Sequence, residues 1–397
     1  MAGNSRSNHA GFAGVAAVMA QHGTLLISGQ ALRSNILRLR QRVRGNTLQC
    51  AVLKANAYGH GMAALLPLLR DIGIHWACVY SLAEAVQAAA LGWDRPVLVL
   101  STLVARQERV DFDAAEWKLL CGGQVRLTLT DAASAQALAS AIRNAHLSVR
   151  VPVHVQVDTG LTRQGAELGD VGGLCEQILS LPQLKLDGMY MHMSHGDEPG
   201  SPATAAQLAV FREVAWPVKR RHSHVLLHAQ NSGGTWHEGD IGLDMVRLGI
   251  AMYGLQPSLH SSISDFKPVA KLVAPIIAVH ARPAGTGVGY GHSFRTNRPS
   301  RLAVVPVGYA DGYPRELSGR ATVGVLGREV PVVGRVSMDQ TIVDITDVAA
   351  ALGDEVTLIS DDSTASYSMD RLAEKCRTIG YELATRLGQR LNRVVKM

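Results

Sequence analysis

A lysine followed by a run of small and polar residues is the first candidate for chemistry in this sequence. Lys54 follows an apolar run, Leu48–Leu53, and precedes the string Ala-Asn-Ala-Tyr-Gly-His-Gly. At the buried end of a strand, desolvation lowers the pKa of a lysine, and its amine becomes a nucleophile that can form a Schiff base. A strand-end lysine can also extend its amine to solvent. The dense string after Lys54 favours the chemical interpretation.

Two other groups of residues could bind a metal or a dinucleotide, and the sequence favours neither. His192, His195 and Asp197 could ligate a metal, but only if His192 takes no part in the lysine chemistry, so no metal is predicted. The glycine string Gly285–Gly291 fails the G-x-G-x-x-G spacing from every start, so NAD binding is not supported.

These residues need a scaffold, and the chain alternates short strands with helices between Thr47 and about Gly254. Eight strand-helix repeats predict an α/β fold with a (β/α)8 TIM-type barrel. A doubly wound sheet would alternate similarly, but a barrel predicts chemistry at the C-terminal ends of several strands, where the candidates fall. The predicted strands are Leu48–Leu53, His75–Val79, Pro96–Ser101, Arg126–Thr130, Val151–Val157, Leu186–His192, Val225–His228 and Met245–Ala251. The predicted helices include Gly61–Asp71, Ser81–Leu91, Asp131–Asn144, Leu168–Ser180 and Ala203–Arg221.

After Gln256-Pro257-Ser258 the sequence becomes rich in valine and glycine with frequent turn signals, which predicts a mainly β C-terminal domain. We expect a flexible tail at residues 1–23, the barrel at 24–258 and the β domain at 259–397. Thr24–Ser28 is a further strand that could belong to the β domain. The predicted C-terminal strands are Lys271–Val279, Arg301–Val307, Ala321–Val325, Glu329–Val333, Thr341–Ile345 and Glu355–Ile359.

Composition excludes several classes of protein. With 47% hydrophobic and 18% charged residues in 397, the chain is globular, and no apolar run is long enough to span a bilayer. The net charge is +6, and the densest arginine stretch, Arg33–Arg44, carries Leu32, Ile36 and Leu39 at helical spacing. It therefore indicates the solvated face of a helix, and no nucleic-acid partner is predicted.

Five scattered cysteines indicate a reducing, cytoplasmic location. A periplasmic location stays open if Gly11–Ala20 is part of a signal peptide.

The lysine string also resembles the cofactor-lysine motif of alanine racemases. Further blocks resemble the same family in the same order, from Thr24 to the C-terminus. They are Val157-Asp158-Thr159-Gly160 with Arg163, His192 with Asp197-Glu198, His228 with Asn231-Ser232, Met245–Leu255, Val288–Gly291, Pro306–Pro314, Val333–Gln340 and Gly380-Tyr381-Glu382. The resemblance implies a pyridoxal 5'-phosphate enzyme that interconverts L-alanine and D-alanine and supplies D-alanine for peptidoglycan.

The resemblance assigns a role to each matching residue around the cofactor. Lys54 would carry pyridoxal phosphate, Arg247 would face its ring nitrogen with support from His228, and His192 would lie near the ring face. Barrels commonly bind phosphate after strands seven and eight, where Ser232 and the backbone N–H groups of Gly249 and Ile250 are expected. The tyrosines that the family places against the phosphate match Tyr58 and Tyr381.

Racemisation requires proton transfer at both faces of a planar carbanion, so two bases are needed. The resemblance implies that these are Lys54 and Tyr290, and that Tyr290 and Met338 come from the partner subunit of a homodimer. The substrate carboxylate would bind Arg163 and the backbone N–H of Met338. The supporting residues would be Asp339, which holds that loop, and Tyr309 and Tyr381, which narrow the entrance.

One position departs from the family. Gln156 stands where the family often has a carbamylated lysine that orients the arginine. An amide supplies no charge, so we expect Arg163 to be held more loosely and to need another counter-ion, such as chloride. The departure keeps open a racemase of broader specificity. A non-catalytic pyridoxal-phosphate carrier fits less well, because such carriers resemble a lone barrel without the β domain that holds Tyr290. A decarboxylase with a similar barrel fits less well, because the blocks Val288–Gly291 and Val333–Gln340 favour racemases.

Overall fold

The computed structural model describes residues 22–107, 109–257 and 265–397. Its contacts divide the chain into two compact units, Gly29–Lys267 and a second unit that joins the residues up to Ser28 to Pro268–Met397. The predicted tail lies outside the described residues apart from positions 22 and 23. The predicted boundary between positions 258 and 259 also lies outside them.

The first unit is a closed barrel of eight parallel strands in sequential order. Every strand contributes buried apolar side chains, as in other barrels of this class. Each strand overlaps a predicted one, so the predicted barrel is confirmed. The strands are β2 (Leu48–Val52), β3 (Trp76–Val79), β4 (Val97–Thr102), β5 (Val125–Leu129), β6 (Val151–Gln156), β7 (Leu184–Tyr190), β8 (Leu226–His228) and β9 (Met245–Leu248).

Helices connect the strands and begin where the sequence offers caps. The Ser81 and Asp113 side chains each form a capping box with the glutamate three residues later, and the Asp131 carboxylate accepts the backbone N–H of Ser134. The helices are α1 (Gly29–Arg40), α2 (Met62–Ile72), α3 (Leu82–Ala90), α4 (Ala114–Cys121), α5 (Ala132–Asn144), α6 (Val171–Ser180), α7 (Pro202–Arg221) and α8 (Ser232–Glu238).

The arginine-rich stretch forms a helix, as predicted, but a shorter one. In α1 the side chains of Leu32, Ile36 and Leu39 are buried. The helix ends at Arg40, so Arg42 and Arg44 lie beyond it. Arg44 forms an ion pair with Asp240 at 3.0 Å.

The second unit is mainly β. Its strands are β1 (Thr24–Ser28), β10 (Ala270–Pro275), β11 (Ala278–Arg282), β12 (Gly287–Val288), β13 (Phe294–Arg295), β14 (Ser300–Val305), β15 (Thr322–Val325), β16 (Arg328–Pro331), β17 (Thr341–Asp344), β18 (Glu355–Ile359) and β19 (Asn392–Lys396). A six-stranded sheet has the order β16-β15-β18-β10-β1-β19, a three-stranded sheet has the order β11-β14-β17, and β12 and β13 form a hairpin. Two helices, α9 (Met369–Lys375) and α10 (Gly380–Thr385), precede β19.

One predicted strand was wrong. The run Lys271–Val279 is divided between β10 and β11, which belong to different sheets. Pro275 ends β10 because proline has no N–H to continue the ladder. The next two amides donate elsewhere, Ile276 to Asp354 O and Ile277 to Val304 O, both at 2.9 Å.

Within the residues that the structure describes, no helix is both long and apolar enough to cross a membrane.

Candidate active site

The barrel brings the predicted site residues of its own unit to the C-terminal ends of its strands. Lys54 is the second residue after β2, His192 is the second residue after β7, and His228 ends β8. Arg247 lies in β9, and Ser232 is the first residue of α8. Because this rim is where barrel enzymes place their catalytic groups, it is the candidate active site.

Lys54 lies in surroundings that make its amine a better nucleophile than that of an exposed lysine. Burial is the largest influence and lowers the pKa of Lys54, and the charges of Arg163 and Arg247 lower it further. Cys78 and Glu84 act in the opposite direction. The neutral amine is therefore reached at a lower pH than in an ordinary lysine.

The chain leaves Lys54 in a left-handed turn that the sequence analysis did not predict. Ala55, Asn56, Ala57 and Tyr58 all have φ between 52° and 55°. Each non-glycine residue in this conformation costs about 1–2 kcal/mol. Side chains and backbone hold the turn, since Asn56 Oδ1 accepts the amide of Met62 at 2.8 Å, and the amide of Ala57 donates to Leu53 O at 2.7 Å. The absence of glycine from positions 55–58 conceals the turn in the sequence.

Ser232 and the residues after β9 form a cluster of hydrogen-bond donors. Ser232 Oγ accepts the amides of Gly249 at 2.8 Å and Ala251 at 3.3 Å. A Cβ atom added to Gly249 would lie 3.3 Å from Tyr58 Oη and 3.6 Å from Ser232 Oγ. Position 249 therefore borders a narrow space lined by the Tyr58 and Ser232 hydroxyls, and hydroxyl groups can donate hydrogen bonds to an anion.

Arg247 is buried at 3% exposure and has no carboxylate partner among the described residues. Its Nη1 donates to His228 Nδ1 at 2.7 Å, and its Nη2 donates to the carbonyls of Met191 and Ala229 at 2.9 Å and approaches His192 Nδ1 at 3.4 Å. Neutral acceptors thus fix the guanidinium in place, and its positive charge has no negative partner within the described ranges. A buried charge of this kind favours a hydrogen-bond acceptor on any molecule that binds beside it.

The histidines around Arg247 are neutral. Burial, followed by the charges of Arg247, Arg163 and Lys54, lowers the pKa of His192 to about 3. Burial and Arg247 likewise hold the pKa of His228 well below its usual range. Because Arg247 donates to Nδ1 of His228, the proton of His228 is on Nε2, which lies 3.0 Å from Nδ1 of His154.

Sequence reasoning missed two residues of this network. His154 lies on the inner face of β6 and Tyr190 at the end of β7, and both are fully buried. The Tyr190 ring stacks on His228 at 4.8 Å between centroids, and the Arg247 guanidinium carbon lies 5.2 Å from the Tyr190 ring centroid. The only sequence signal for His154 was a histidine at an inward-facing position of a strand.

Gln156 takes part in a neutral amide cluster. Its Oε1 accepts from Gln164 Nε2 at 2.7 Å and from Tyr190 Oη at 2.9 Å, and its Nε2 donates to Gln164 O at 3.0 Å. Between these two glutamines the loop carries Arg163, which is exposed. Arg163 has no ion pair or hydrogen bond with any residue that the structure describes.

The remaining predicted residues lie in the β unit. Tyr290 begins a short 3-10 helix after β12 and is 70% exposed, and Met338 is 53% exposed. The segments of Tyr309 and Met338 are joined, since the amide of Ala310 donates to Met338 O at 3.0 Å. Asp339 Oδ1 accepts from Arg390 Nη1 at 2.9 Å. Tyr381 is the second residue of α10.

No group of three or more histidine, cysteine, aspartate or glutamate side chains suited to a metal ion occurs within residues 22–107, 109–257 and 265–397.

Comparisons with known proteins agree with this arrangement. The family model for the alanine racemase N-terminal domain matches residues 27–257, and the model for the alanine racemase C-terminal domain matches residues 269–395. An alanine racemase of Halothermothrix orenii is 34% identical over 369 residues, which are 92% of this chain and 94% of that protein. One from Synechocystis sp. is 32% identical over 93% of this chain and 97% of its own length.

Solved structures agree as well. Alanine racemase from Streptomyces coelicolor A3(2) gives a TM-score of 0.84 at 32% identity, over 96% of this chain and 99% of that one. A structure of alanine racemase from Bartonella henselae with covalently bound pyridoxal phosphate gives 0.80 at 29% identity, over 95% and 100%. The resemblance drawn from the sequence is thereby confirmed, and the chain belongs to the alanine racemase family.

Proposed function

We propose that this chain interconverts L-alanine and D-alanine, with pyridoxal 5'-phosphate as cofactor and with Lys54 and Tyr290 as the two bases. The observation that carries the proposal is the barrel rim, where a lysine with a lowered pKa lies near a buried arginine and an anion-binding donor set. Membership of the family makes the chain a pyridoxal-phosphate-dependent isomerase. Its D-alanine product would supply peptidoglycan.

The residues present fit the cofactor. Ser232, Tyr58 and the backbone N–H groups of Gly249 and Ile250 would hold its phosphate, with Tyr381 as a further contact. The narrow space beside Gly249, between two hydroxyls, supports this assignment because a side chain there would fill it. When bound, pyridoxal phosphate withdraws electron density from the attached amino acid and so acidifies its α-hydrogen.

Arg247 would control the strength of that electron withdrawal. A guanidinium keeps its proton throughout the working pH range, so a ring nitrogen that faces it accepts a hydrogen bond and stays unprotonated. His228 Nδ1 holds the guanidinium by accepting a hydrogen bond from Arg247 Nη1 at 2.7 Å. His192, whose pKa of about 3 keeps it neutral, would lie near the ring face without adding charge. We infer that this limits charge delocalisation into the ring and favours prompt return of the proton to Cα.

Two bases would act on opposite faces of the substrate. The Lys54 amine serves one face, and Tyr290 of the partner subunit serves the other. The high exposure of Tyr290 and Met338 in a single chain supports their use by a partner. Activity would therefore require a homodimer.

Arg163 and the backbone N–H of Met338 would bind the substrate carboxylate. Asp339, tied to Arg390, supports the loop that presents Met338. Tyr309 and Tyr381 would narrow the entrance and restrict the substrate side chain. All five cysteines are free thiols, which supports a cytoplasmic location.

Substrate choice tests the proposed function directly. In a racemisation assay with L-alanine, L-serine, L-lysine and L-arginine, we expect kcat/KM for alanine to exceed that for the long side chains by at least about 100-fold, because tyrosines would exclude them sterically. Comparable rates with lysine or arginine would contradict alanine as the main substrate. That outcome would favour a racemase of broader specificity, which neutral Gln156 keeps open.

Chloride is expected to improve substrate binding. Gln156 brings no charge to the loop of Arg163, so a small anion can occupy the place of a fixed counter-ion. Replacing sulfate with chloride at constant ionic strength should lower KM for L-alanine by about 2- to 5-fold with little change in kcat. In a Gln156→Glu variant the fixed charge should remove the chloride effect. A wild-type KM that does not respond to chloride would exclude this role.

A further inference from the structure

Glu84 connects the site lysine's turn to a neighbouring strand end. Its Oε1 accepts the amide of Ala55, the residue directly after Lys54, at 2.7 Å. Its Oε2 accepts the amides of Tyr80 at 2.7 Å and Ser81 at 3.3 Å. One carboxylate thus binds the segments that follow β2 and β3.

The bond to Ala55 is additional to the ordinary role of a glutamate at this helix position. Ser81 and Glu84 form the capping box of α3, which uses Ser81 Oγ and one carboxylate oxygen. The capping box of α4 has the same form, with Glu116 Oε2 accepting the amide of Asp113 at 3.0 Å. Within the described part of the chain, Glu116 makes no contact of the kind that Glu84 makes with Ala55. The second oxygen of Glu84 therefore has a separate use.

The hydrogen bond between Glu84 and Ala55 lies at the start of the strained left-handed turn. Ala55 is the first of the four consecutive non-glycine residues with left-handed φ. The amide of Ala57 is bonded to Leu53 and that of Gly59 to Ala55, but the amide of Ala55 itself is fixed by Glu84. A charge-assisted hydrogen bond at the entry to the turn opposes its return to a relaxed conformation.

We propose that Glu84 is a positioning residue for Lys54: by holding the amide of Ala55 it fixes the left-handed turn and with it the direction in which the lysine side chain leaves β2. The inference rests on the proposed function, since it assumes that Lys54 is the residue that receives the cofactor. The Glu84 carboxylate also favours the protonated amine of Lys54 and so raises its pKa, as Cys78 does. Burial and the charges of Arg163 and Arg247 lower that pKa.

The experiment measures attachment of the cofactor to Lys54. The full-length chain is mixed with pyridoxal phosphate, reduced with borohydride at timed intervals, and digested, and mass spectrometry gives the fraction of Lys54 peptide that carries the cofactor. We expect Glu84→Ala to slow attachment by about tenfold or more, because a misdirected amine loses most of its effective concentration. Glu84→Gln keeps an oxygen for Ala55 and should return the rate to within about threefold of wild type.

Matched variants separate positioning from helix stability. Ser81→Ala weakens the same capping box and Glu116→Ala the equivalent box of α4, and both should lower Tm without slowing attachment. Equal slowing in these two variants would overturn the inference, as would a wild-type rate in Glu84→Ala. The inference would also be overturned if Glu84→Gln had a wild-type Tm and yet attached the cofactor as slowly as Glu84→Ala. If the wild-type chain attaches no cofactor at Lys54, the proposed function fails and the inference with it.

Discussion

Replacing Lys54 with alanine is expected to lower kcat/KM for alanine racemisation by at least about 10⁴-fold. The substitution removes both the amine that would hold the cofactor and the base for one face of the substrate. The loss should appear in both directions, from L-alanine and from D-alanine, when the optical rotation or circular dichroism of the substrate is followed with time.

The control for this variant is Lys185→Ala. Lys185 forms an ion pair with Asp187 at 2.7 Å and is the second residue of β7, at the opposite end of that strand from His192. It should keep nearly full activity. A folded Lys54→Ala protein that retains more than about a tenth of wild-type activity would end the proposed mechanism.

The pH dependence of cofactor attachment gives a second check on Lys54. Its pKa lies below that of an ordinary lysine, chiefly because of burial. The neutral, nucleophilic form therefore becomes dominant at a lower pH, and the attachment rate should rise with pH and level off earlier than for a model alkyl amine. A profile that coincides with the free amine would contradict the assigned environment.

Tyr290→Phe is the second variant with a large expected effect. It removes a single hydroxyl, and with it proton transfer at one face, so racemisation should fall by about 10³-fold. Exchange of the α-hydrogen with D₂O should survive for one enantiomer of alanine and be lost for the other, since Lys54 still serves its own face. Proton NMR of L-alanine and D-alanine in separate samples measures both rates.

Tyr367→Phe is the matched control, because it makes the same change elsewhere in the β unit and should leave both exchange rates unaltered. Retention of exchange for both enantiomers in Tyr290→Phe would show that Tyr290 is not the second base. Loss of exchange for both would show that its hydroxyl does more than serve one face.

The barrel was predictable because strands buried on both faces are short, apolar and separated by amphipathic helices, and this pattern is visible along the sequence. The strand end that carries Lys54 was predictable for the same reason. His154 and Tyr190 were not, because a polar residue on an inward face of a strand has no local pattern that distinguishes it from a core position.

The left-handed turn and the sheet order escaped prediction for other reasons. Positions 55–58 hold residues that prefer right-handed or extended backbone. The left-handed form is stabilised by side-chain contacts of Glu84 and Asn56 and by backbone bonds such as that from Ala57 to Leu53, and Glu84 comes from another strand-helix unit. The place of β19 in its sheet depends on pairing with β1, which is remote in the chain and leaves no local signal. The hairpin of β12 and β13 is two residues long in each strand and too short to show a period.

The position of β1 also bears on how the chain is made. This strand, with Leu25 and Ile27 fully buried, lies between β10 and β19, so its two neighbours are synthesised only after the whole barrel. While the ribosome completes those later segments, the barrel can already fold. During that time β1, which precedes the barrel in the chain, has both of its edges unpaired. Unpaired edges pair readily with other chains, so the pairing of β1 with β10 and β19 also removes a site of aggregation once the second unit has been synthesised.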